Sequence, residues 1–464
     1  MDAELKHRRE QFIHGNHGSN GPWEVFHLII IAQFSHILSE SFVFALPALP
    51  KTWPIVSLII DFTMVYSPLI MAVTLCHNHI TLILITILVL ILFNFAIYVK
   101  SNSKCISWQN IGQQSIQYPD TKRFPYLSNM MSSLLMATCL AIFAVDFPSF
   151  DRRFSKTEMY GWSLMDIGVG CFIAINGALS PESRLINSKI SLIERFKKTF
   201  RSSLPLIVIG LLRLVATKSV NYQEHVSEYG IHWNFFFTIS FVKILSSILC
   251  ALLGEQINLY TVSIMIMIVH QIMLKTFGTE FIMDPSNRSL NLFAANKEGF
   301  ISLPGFISIY LFFVQLGRNY IPKREKVNEL LSIILQLVII GLQSLAVMFA
   351  AYHLLEPVSR REANMPFICF ITCCACLNIV IELVYFIWIQ IAKPNFHYES
   401  SVFSVINHKG LLIFLIANLI TGLVNLSIDT MMVNNVMSVL LIHLYAVVLT
   451  FSGFLLDKIF YLNK

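Results

Sequence analysis

The sequence is poor in charged residues, which make up 13% of its 464 positions. Soluble globular proteins usually carry about 25%, so an ordinary cytosolic enzyme is excluded. No Lys- or Arg-rich stretch is interleaved with aromatic residues, and we therefore expect no nucleic-acid partner. The polar residues 1–24 lack the apolar core of a signal peptide, so we expect the first hydrophobic run to remain as a helix.

Motifs for several reaction classes are also absent. The sequence contains no G-x-S-x-G elbow, no P-loop and no G-x-G-x-x-G turn, which removes support for a serine esterase or a nucleotide-hydrolysing enzyme. Its nine cysteines lie mostly in apolar runs, and the C-x-x-C formed by Cys373 and Cys376 falls inside one of them. We interpret them as small apolar residues of helices rather than as a disulfide framework or a metal site.

Apolar residues are abundant, at 55% of the chain with a mean hydropathy of +0.66. Several runs reach the roughly 20 residues that cross a bilayer, which predicts an all-α, polytopic transmembrane helical bundle. Porin-type barrels are excluded because their strands are about 10 residues long and alternate in polarity. The length criterion predicts about thirteen spans, with approximate cores at Val25–Leu46, Trp53–Leu75, Ile80–Val99, Leu127–Val145, Leu164–Leu179, Leu204–Val215, Phe235–Leu253, Leu259–Leu274, Ile301–Leu316, Val327–Leu354, Met365–Trp388, Leu411–Val424 and Val433–Leu455.

The basic residues of the loops predict an orientation. Nineteen Lys and Arg fall on one set of alternate loops and twelve on the other, and Arg213 and Lys243 lie within spans. Because basic residues are enriched in cytosolic loops, we expect a luminal tail at residues 1–24, a single transmembrane domain at 25–456 and a cytosolic tail at 457–464. The glycosylation sequon at Asn287 falls on the predicted luminal side.

A basic segment from Leu185 to Arg201 stands apart from the other loops. Ile186, Ile190, Ile193 and Phe196 recur at helical spacing, with Lys and Arg between them. The pattern is typical of a helix that lies on the cytosolic face and attracts anionic lipid or a phosphate-bearing donor. The alternative is a stretch that only follows the enrichment of basic residues in cytosolic loops.

Polar side chains concentrate in the predicted luminal loops and at the span ends beside them. Four clusters stand out, at residues 146–158, 222–234, 296–299 and 359–364. Further polar residues fall within spans, namely His36, Glu40, Asp61, Asp166, Arg213, Lys243, Glu382, Asn418, Asn425 and Asp429. Intramembrane ionisable groups normally face a bundle interior or a water-filled cavity. We therefore expect these groups to gather around a polar cavity that opens toward the lumen.

Two of the clusters allow alternative interpretations. Asp146 closes an apolar span, and the arginines that follow it either pair with its carboxylate or bind a phosphate. His225 and His232 are seven residues apart, so a helix would place them on one face. Zinc is a rival interpretation, but no H-E-x-x-H or comparable ligand spacing is present. Interfacial Tyr and Trp are also common in membrane proteins of every function.

Long blocks of the sequence resemble the PIG-W family, the glucosaminyl-phosphatidylinositol inositol acyltransferases of GPI-anchor synthesis. The first block runs from Ala144 to Gly170 and the second from Tyr222 to Phe236. Shorter matches follow in family order at Ala295–Gly299, Ser359–Arg361 and Asn418–Asn425. Asp151, Ser155 and Lys297 depart from the residues that are usual in the family.

The resemblance implies a multi-pass enzyme of the endoplasmic reticulum membrane. Such an enzyme transfers a fatty acyl group, typically palmitoyl, from acyl-CoA to the inositol 2-hydroxyl of glucosaminyl-phosphatidylinositol. Its partners are then the glycolipid acceptor, palmitoyl-CoA and membrane lipid. Acyl-CoA is a co-substrate, and no separate cofactor is implied.

The resemblance also implies roles for individual residues. Asp146 and Lys156 match the family's catalytic pair, with Asp146 as the base and Lys156 as the group that stabilises the thioester oxyanion or positions the acceptor phosphate. His232 is the alternative base. The residues predicted to bind substrate are Arg152, Arg153, Glu224, His225, Asn234, Asn296 and Arg360. Asp151 stands where the family usually has Pro, and we expect it to offset the charge of Arg152.

Two functions of other classes remain as alternatives to an enzyme. A secondary transporter of a small polar or lipid-linked solute also has intramembrane charge, but such transporters carry a repeated half, and the two halves of this sequence show no similarity. A lipid-binding scaffold without catalysis would tolerate Asp146→Asn as long as it folds. Detection of an acylated product distinguishes the enzyme from both.

Overall fold

The computed structural model describes residues 16–48, 52–101, 111–118, 124–185, 190–219, 226–392 and 400–461. Within these ranges the chain forms helices joined by turns. They contain no strand, only isolated bridges such as the one between Ser19 and Trp162. The all-α class predicted from hydropathy is therefore confirmed.

Helix starts in the first half follow local sequence signals. Pro22, Pro54 and Pro125 occupy first helical positions, where the missing N–H costs no hydrogen bond. The helices are α1 (Pro22–Ala45), α2 (Pro54–Val73), α3 (Ile80–Ser101), α4 (Pro125–Ala144), α5 (Leu164–Ala178), α6 (Leu192–Ser219) and α7 (Val226–Tyr229).

Side chains cap several helices in the second half. Asn234 and Asn258 each accept hydrogen bonds from backbone N–H groups in the first turn of the helix they precede. The helices are α8 (Phe235–Leu253), α9 (Leu259–Met273), α10 (Thr279–Met283), α11 (Leu292–Ala295), α12 (Lys297–Ile301), α13 (Leu303–Tyr320), α14 (Val327–Leu354), α15 (Met365–Ala392), α16 (Ser401–Ser427) and α17 (Asn435–Tyr461). A π-helical turn at Leu274–Gly278 joins α9 to α10.

Eleven helices in the described ranges are long and apolar enough to cross a membrane. The predicted fifth span is the shorter, 15-residue helix α5. The predicted sixth span, Leu204–Val215, is the second part of α6, whose first turns carry Lys and Arg. The chain is thus a multi-pass membrane protein, whereas the count of thirteen spans and the orientation stay predictions.

The basic segment differs from the predicted surface helix. Residues 186–189 lie outside the described part of the chain, and helix α6 starts at Leu192 and continues without a break to Ser219. Ile193 and Phe196 are exposed, whereas Arg195 is buried. The segment is therefore the first part of a longer helix that turns its apolar side chains away from the protein.

Helices α1 and α15 form the centre of the bundle. In each, 78% of the residues in the apolar window are buried, compared with 22% in α3 and α14. Helix α14 packs along α15, and α1 packs against α2 and α3. The exposed apolar side chains of α3 and α14 form an outer surface suited to lipid, while the inner helices enclose a cavity.

Candidate active site

A cavity of about 800 Å³ lies between α1, α4, α5, α6, α8 and α16. Most of its wall is apolar, with side chains such as Leu134, Phe172 and Phe414. The charged side chains in the described wall are Asp146, Arg152, Lys156, Arg213, Glu228 and Arg360. An apolar cavity with a few convergent polar groups is typical of a ligand site, and this one suits an amphiphilic ligand.

The four polar clusters predicted from sequence meet at one end of the bundle. Lys156 of the first cluster binds Glu228 of the second. The backbone N–H of His232 donates to Asn296 of the third cluster, over 2.7 Å. Arg361 of the fourth donates to the buried carboxylate of Glu298, over 3.0 Å. The four clusters therefore meet in the fold, whereas the side of the membrane that they face stays a prediction.

Asp146 lies in the turn that follows α4, in the wall of the cavity. Its Oδ2 accepts a hydrogen bond of 2.7 Å from Nδ2 of Asn425, near the end of α16. Arg152 bends back to donate to the carbonyl of Val145, over 2.9 Å. Burial lowers the pKa of the Arg152 guanidinium, and the charges of Asp146 and Asp151 oppose that shift. The arrangement fixes a carboxylate and an arginine at the polar end of the cavity.

Lys156 forms an ion pair with Glu228, with 2.7 Å between Nζ and Oε2. About a third of the Lys156 side chain is exposed, compared with 15% for Glu228. Burial favours the neutral form of Glu228, but the charges of Lys156 and Arg360 outweigh it and hold the Glu228 pKa at about 2. Glu228 is therefore ionised at neutral pH.

Arg360 connects this ion pair to α5. Its Nε donates to Oδ1 of Asp166 over 2.9 Å, and its Nη1 lies 3.7 Å from Oε1 of Glu228. Thr157 donates to Asp166 from both its hydroxyl and its backbone N–H. Burial would lower the pKa of Arg360, but the two carboxylates raise it. Arg360 thus belongs to a buried network that positions Glu228.

His232 does not lie where the sequence pattern places it. Helix α7 ends at Tyr229, so His232 follows in a turn that Gly230 starts with a φ of 121°. A Cβ at Gly230 would lie 2.5 Å from the Cα of Asn296. The described lining of the cavity includes neither His232 nor Asn296, whose amide binds the backbone of Leu292 and His232. Glu224 and His225 lie outside the described residues.

Asn234 lines the cavity, but its side-chain amide forms hydrogen bonds with backbone groups. Its Oδ1 caps α8 by accepting from the N–H groups of Phe236 and Phe237, and its Nδ2 donates to the carbonyl of Gly210 in α6. The predicted substrate contact is thus a residue that joins two helices at the cavity wall.

Arg153 lies outside the described cavity wall. Its Nη2 donates to the carbonyl of His77 over 2.6 Å, and its Nε lies 3.5 Å from a carboxylate oxygen of Glu24. The charge of Asp151 acts on Arg152 as expected, and its carboxylate also lies 2.7 Å from Nδ1 of His77 and accepts from the backbone N–H of Arg153. The contacts of Arg153 and Asp151 stabilise the loop that carries Asp146 and Lys156 on the side away from the cavity.

Sequence reasoning missed several residues that shape the site. Asn425 and Asp166 appeared only as intramembrane polar groups, and Glu228 only as a member of a cluster. Their partners are remote in sequence, for example 279 residues between Asp146 and Asn425. In the described part of the chain no group of three or more His, Cys, Asp or Glu side chains is arranged to hold a metal.

Comparison with known proteins places the chain in a family. The GWT1 family profile matches residues 5–456. The chain belongs to the GWT1 family. It is 31% identical to GPI-anchored wall transfer protein 1 of Candida albicans, over 99% of both chains.

Two further relatives carry names that describe a pathway or an activity. The phosphatidylinositol-glycan biosynthesis class W protein of Dictyostelium discoideum is 31% identical over 98% of both chains. Glucosaminyl-phosphatidylinositol-acyltransferase PIGW of Bos taurus is 31% identical, over 83% of this chain and 84% of its own. The resemblance to the PIG-W family is confirmed, and the GWT1 family match covers every residue of the cavity.

Proposed function

We propose that the protein is an acyltransferase of the endoplasmic reticulum membrane that acts in GPI-anchor biosynthesis. It transfers a fatty acyl group, palmitoyl in our proposal, from acyl-CoA to the inositol 2-hydroxyl of glucosaminyl-phosphatidylinositol. The observation that carries the proposal is the position of Asp146 and Lys156 in the wall of one largely apolar cavity. The names of the family relatives support the acceptor and the reaction.

Asp146 acts as the general base in this mechanism. It takes the proton of the inositol hydroxyl while the hydroxyl oxygen attacks the thioester carbonyl carbon. The carbon–sulfur bond then breaks, and the proton passes to the sulfur of CoA, so that the step releases an ester and a thiol. A positioned base typically contributes about 10²–10⁴-fold. The hydrogen bond from Asn425 supports this role because it fixes the orientation of the carboxylate.

Lys156 stabilises the negative charge that develops on the thioester oxygen. A fixed cation in a water-poor site is most effective where charge appears in the transition state. Glu228 holds the Lys156 ammonium at the cavity wall through the 2.7 Å ion pair. His232 is the alternative base, but we favour Asp146 because the His232 side chain is outside the described lining.

Arginines at the polar end suit the phosphate of the acceptor. Arg152 and Arg213 both line the cavity, and guanidinium groups bind phosphate oxygens in a bidentate manner. Arg360 already binds Asp166 and lies near Glu228, so we assign it a positioning role rather than a direct contact with phosphate.

The test is acyl transfer in membranes from cells that lack this activity, with lipid products identified by mass spectrometry. Asp146→Asn and Lys156→Ala are expected to lower turnover about 100-fold or more. The matched control is Asp284→Asn, an exposed carboxylate outside the described cavity lining whose capping role Asn also fulfils. Wild-type turnover in Asp146→Asn would contradict the mechanism. Solute uptake without an acylated lipid would favour a transporter instead.

A further inference from the structure

The charges of the cavity wall are unbalanced in favour of cations. Among the described lining residues, Arg152, Lys156, Arg213 and Arg360 accompany two carboxylates, on Asp146 and Glu228, and Arg360 also binds Asp166, which is outside that lining. An excess of cations suits a lipid phosphate. If Asp146 is the base, Glu228 is the other carboxylate of the described wall. It holds Lys156, but the phosphate of the acceptor gives no reason for a carboxylate at this place.

Glu228 has the capacity for a second partner. Its Oε2 accepts the hydrogen bond from Lys156, whereas the Nη1 of Arg360 lies 3.7 Å from Oε1, beyond hydrogen-bond range. An ionised carboxylate offers about four lone-pair positions. The side chain is 15% exposed and lines the cavity, so a ligand in the cavity has access to it. Its low pKa of about 2 keeps it ionised at neutral pH.

The proposed acceptor carries two charges of opposite sign. The phosphate diester is negative, and the free amine of glucosamine is positive when protonated. Cations and one carboxylate in a single cavity wall complement such a ligand. N-acetylation of the amine removes its charge, and a site built to hydrogen-bond a group discriminates against analogues that lack it.

We propose that Glu228 is the specificity residue for the free amine of the acceptor, with Oε1 accepting a hydrogen bond from the sugar ammonium. The inference rests on the proposed function and deepens it. Because a hydrogen bond to a charged group contributes substantially to binding, the wild-type KM is about tenfold or more lower for the amine acceptor than for the matching acceptor with a hydroxyl in its place.

The experiment measures KM and kcat for three acceptors: glucosaminyl-phosphatidylinositol, its N-acetylated form, and the glucosyl analogue with a hydroxyl at the amine position. The proteins are wild type, Glu228→Gln, Glu228→Asp and the control Asp284→Asn. In Glu228→Gln the KM for the amine acceptor rises to that for the glucosyl analogue. Asp284→Asn keeps the wild-type preference. Glu228→Gln also removes the ion-pair partner of Lys156, but that loss affects the amine acceptor and the glucosyl analogue equally. The ratio of their two KM values therefore reports recognition of the amine.

The KM values distinguish a wrong assignment of Glu228 from a wrong proposed function. Equal wild-type KM values for the amine and glucosyl acceptors, or an unchanged preference in Glu228→Gln, overturn the assignment. If Glu228→Gln does not accumulate, Glu228→Asp provides the test: a carboxylate shortened by one methylene gives a reduced preference, and an undiminished one overturns the assignment. If wild type acylates none of the three acceptors, the proposed function fails and not the role of Glu228 within it.

Discussion

At the residue scale, the molecule pairs most of its deeply placed charges. Glu298 accepts from both Arg288 and Arg361, and Lys297 donates to the carbonyl of Phe281 and to Oδ1 of Asn287. Pairing of this kind offsets the cost of removing charges from water. The side chain of Asn287, the residue of the predicted glycosylation sequon, is thus a hydrogen-bond partner of Lys297.

Glu362 gives a prediction about pH at the same scale. It is fully buried, and burial together with the nearby charge of Glu356 raises its pKa to about 7. In the unfolded chain the carboxyl ionises at its ordinary value of 4.5. Between 4.5 and about 7 only the unfolded form is ionised, so rising pH removes stability. We expect Glu362→Gln to melt at a higher temperature than wild type above neutral pH.

The measurement is the melting temperature of the detergent-solubilised protein as a function of pH. The melting temperatures of Glu362→Gln and wild type should become equal below the ordinary pKa of the carboxyl, because the group is neutral there in both the folded and the unfolded state. An equal difference in melting temperature at acidic and alkaline pH would refute the assigned titration.

At the element scale, three polar pairs join α1 to α15 through the centre of the bundle. Gln33 donates to Asn378 over 2.6 Å, and Tyr385 donates to Glu40 over 2.6 Å. His36 lies between these pairs, 3.3 Å from Glu382. In each helix the polar residues are three or four positions apart, so they share one face. His36, Glu40 and Glu382 are thus buried inside the bundle but lie outside the described lining of the cavity, so the expectation that they gather around it is wrong.

Loss of one partner of the His36–Glu382 pair should lower the free energy of unfolding, whereas replacement of both partners together should change it little. Removal of one partner of a buried polar pair leaves the other partner uncompensated and costs about 1–3 kcal/mol, and more where the groups are charged, whereas replacement of both partners by apolar residues is often nearly neutral. We therefore expect Glu382→Leu to lower the unfolding midpoint and the double variant His36→Leu/Glu382→Leu to recover most of the loss. Thermal unfolding of both variants in the same detergent tests this. A double variant less stable than Glu382→Leu alone would contradict the account.

Local sequence predicted the elements well and their partners poorly. Hydropathy located the apolar helices because the bilayer imposes length and composition on each span separately. It could not show that the charged segment before Leu204 continues the same helix, since Arg195 is buried by tertiary packing against the rest of the bundle. The spacing of His225 and His232 places them on one face only if a helix contains both, and helix α7 ends at Tyr229.

At the scale of the whole molecule, the cavity is assembled from chain segments that run from α1 to α16. The blocks that resemble the PIG-W family predicted which loops matter, and the gathering of those loops at one end is confirmed. The contacts of Asp146 with Asn425 and of Lys156 with Glu228 span 279 and 72 residues. Such pairs leave no local pattern, because they depend on how the helices pack rather than on the period of any one of them.

The most direct test of the account is an experimental structure of the Asp146→Asn variant with glucosaminyl-phosphatidylinositol bound. We expect this variant to slow turnover about 100-fold or more and to keep the cavity. We predict that the inositol 2-hydroxyl lies within about 2.6–3.2 Å of the side chain at position 146, the distance a general base requires. An acceptor whose hydroxyl instead faces His232, or one bound outside the cavity, would contradict the central claim.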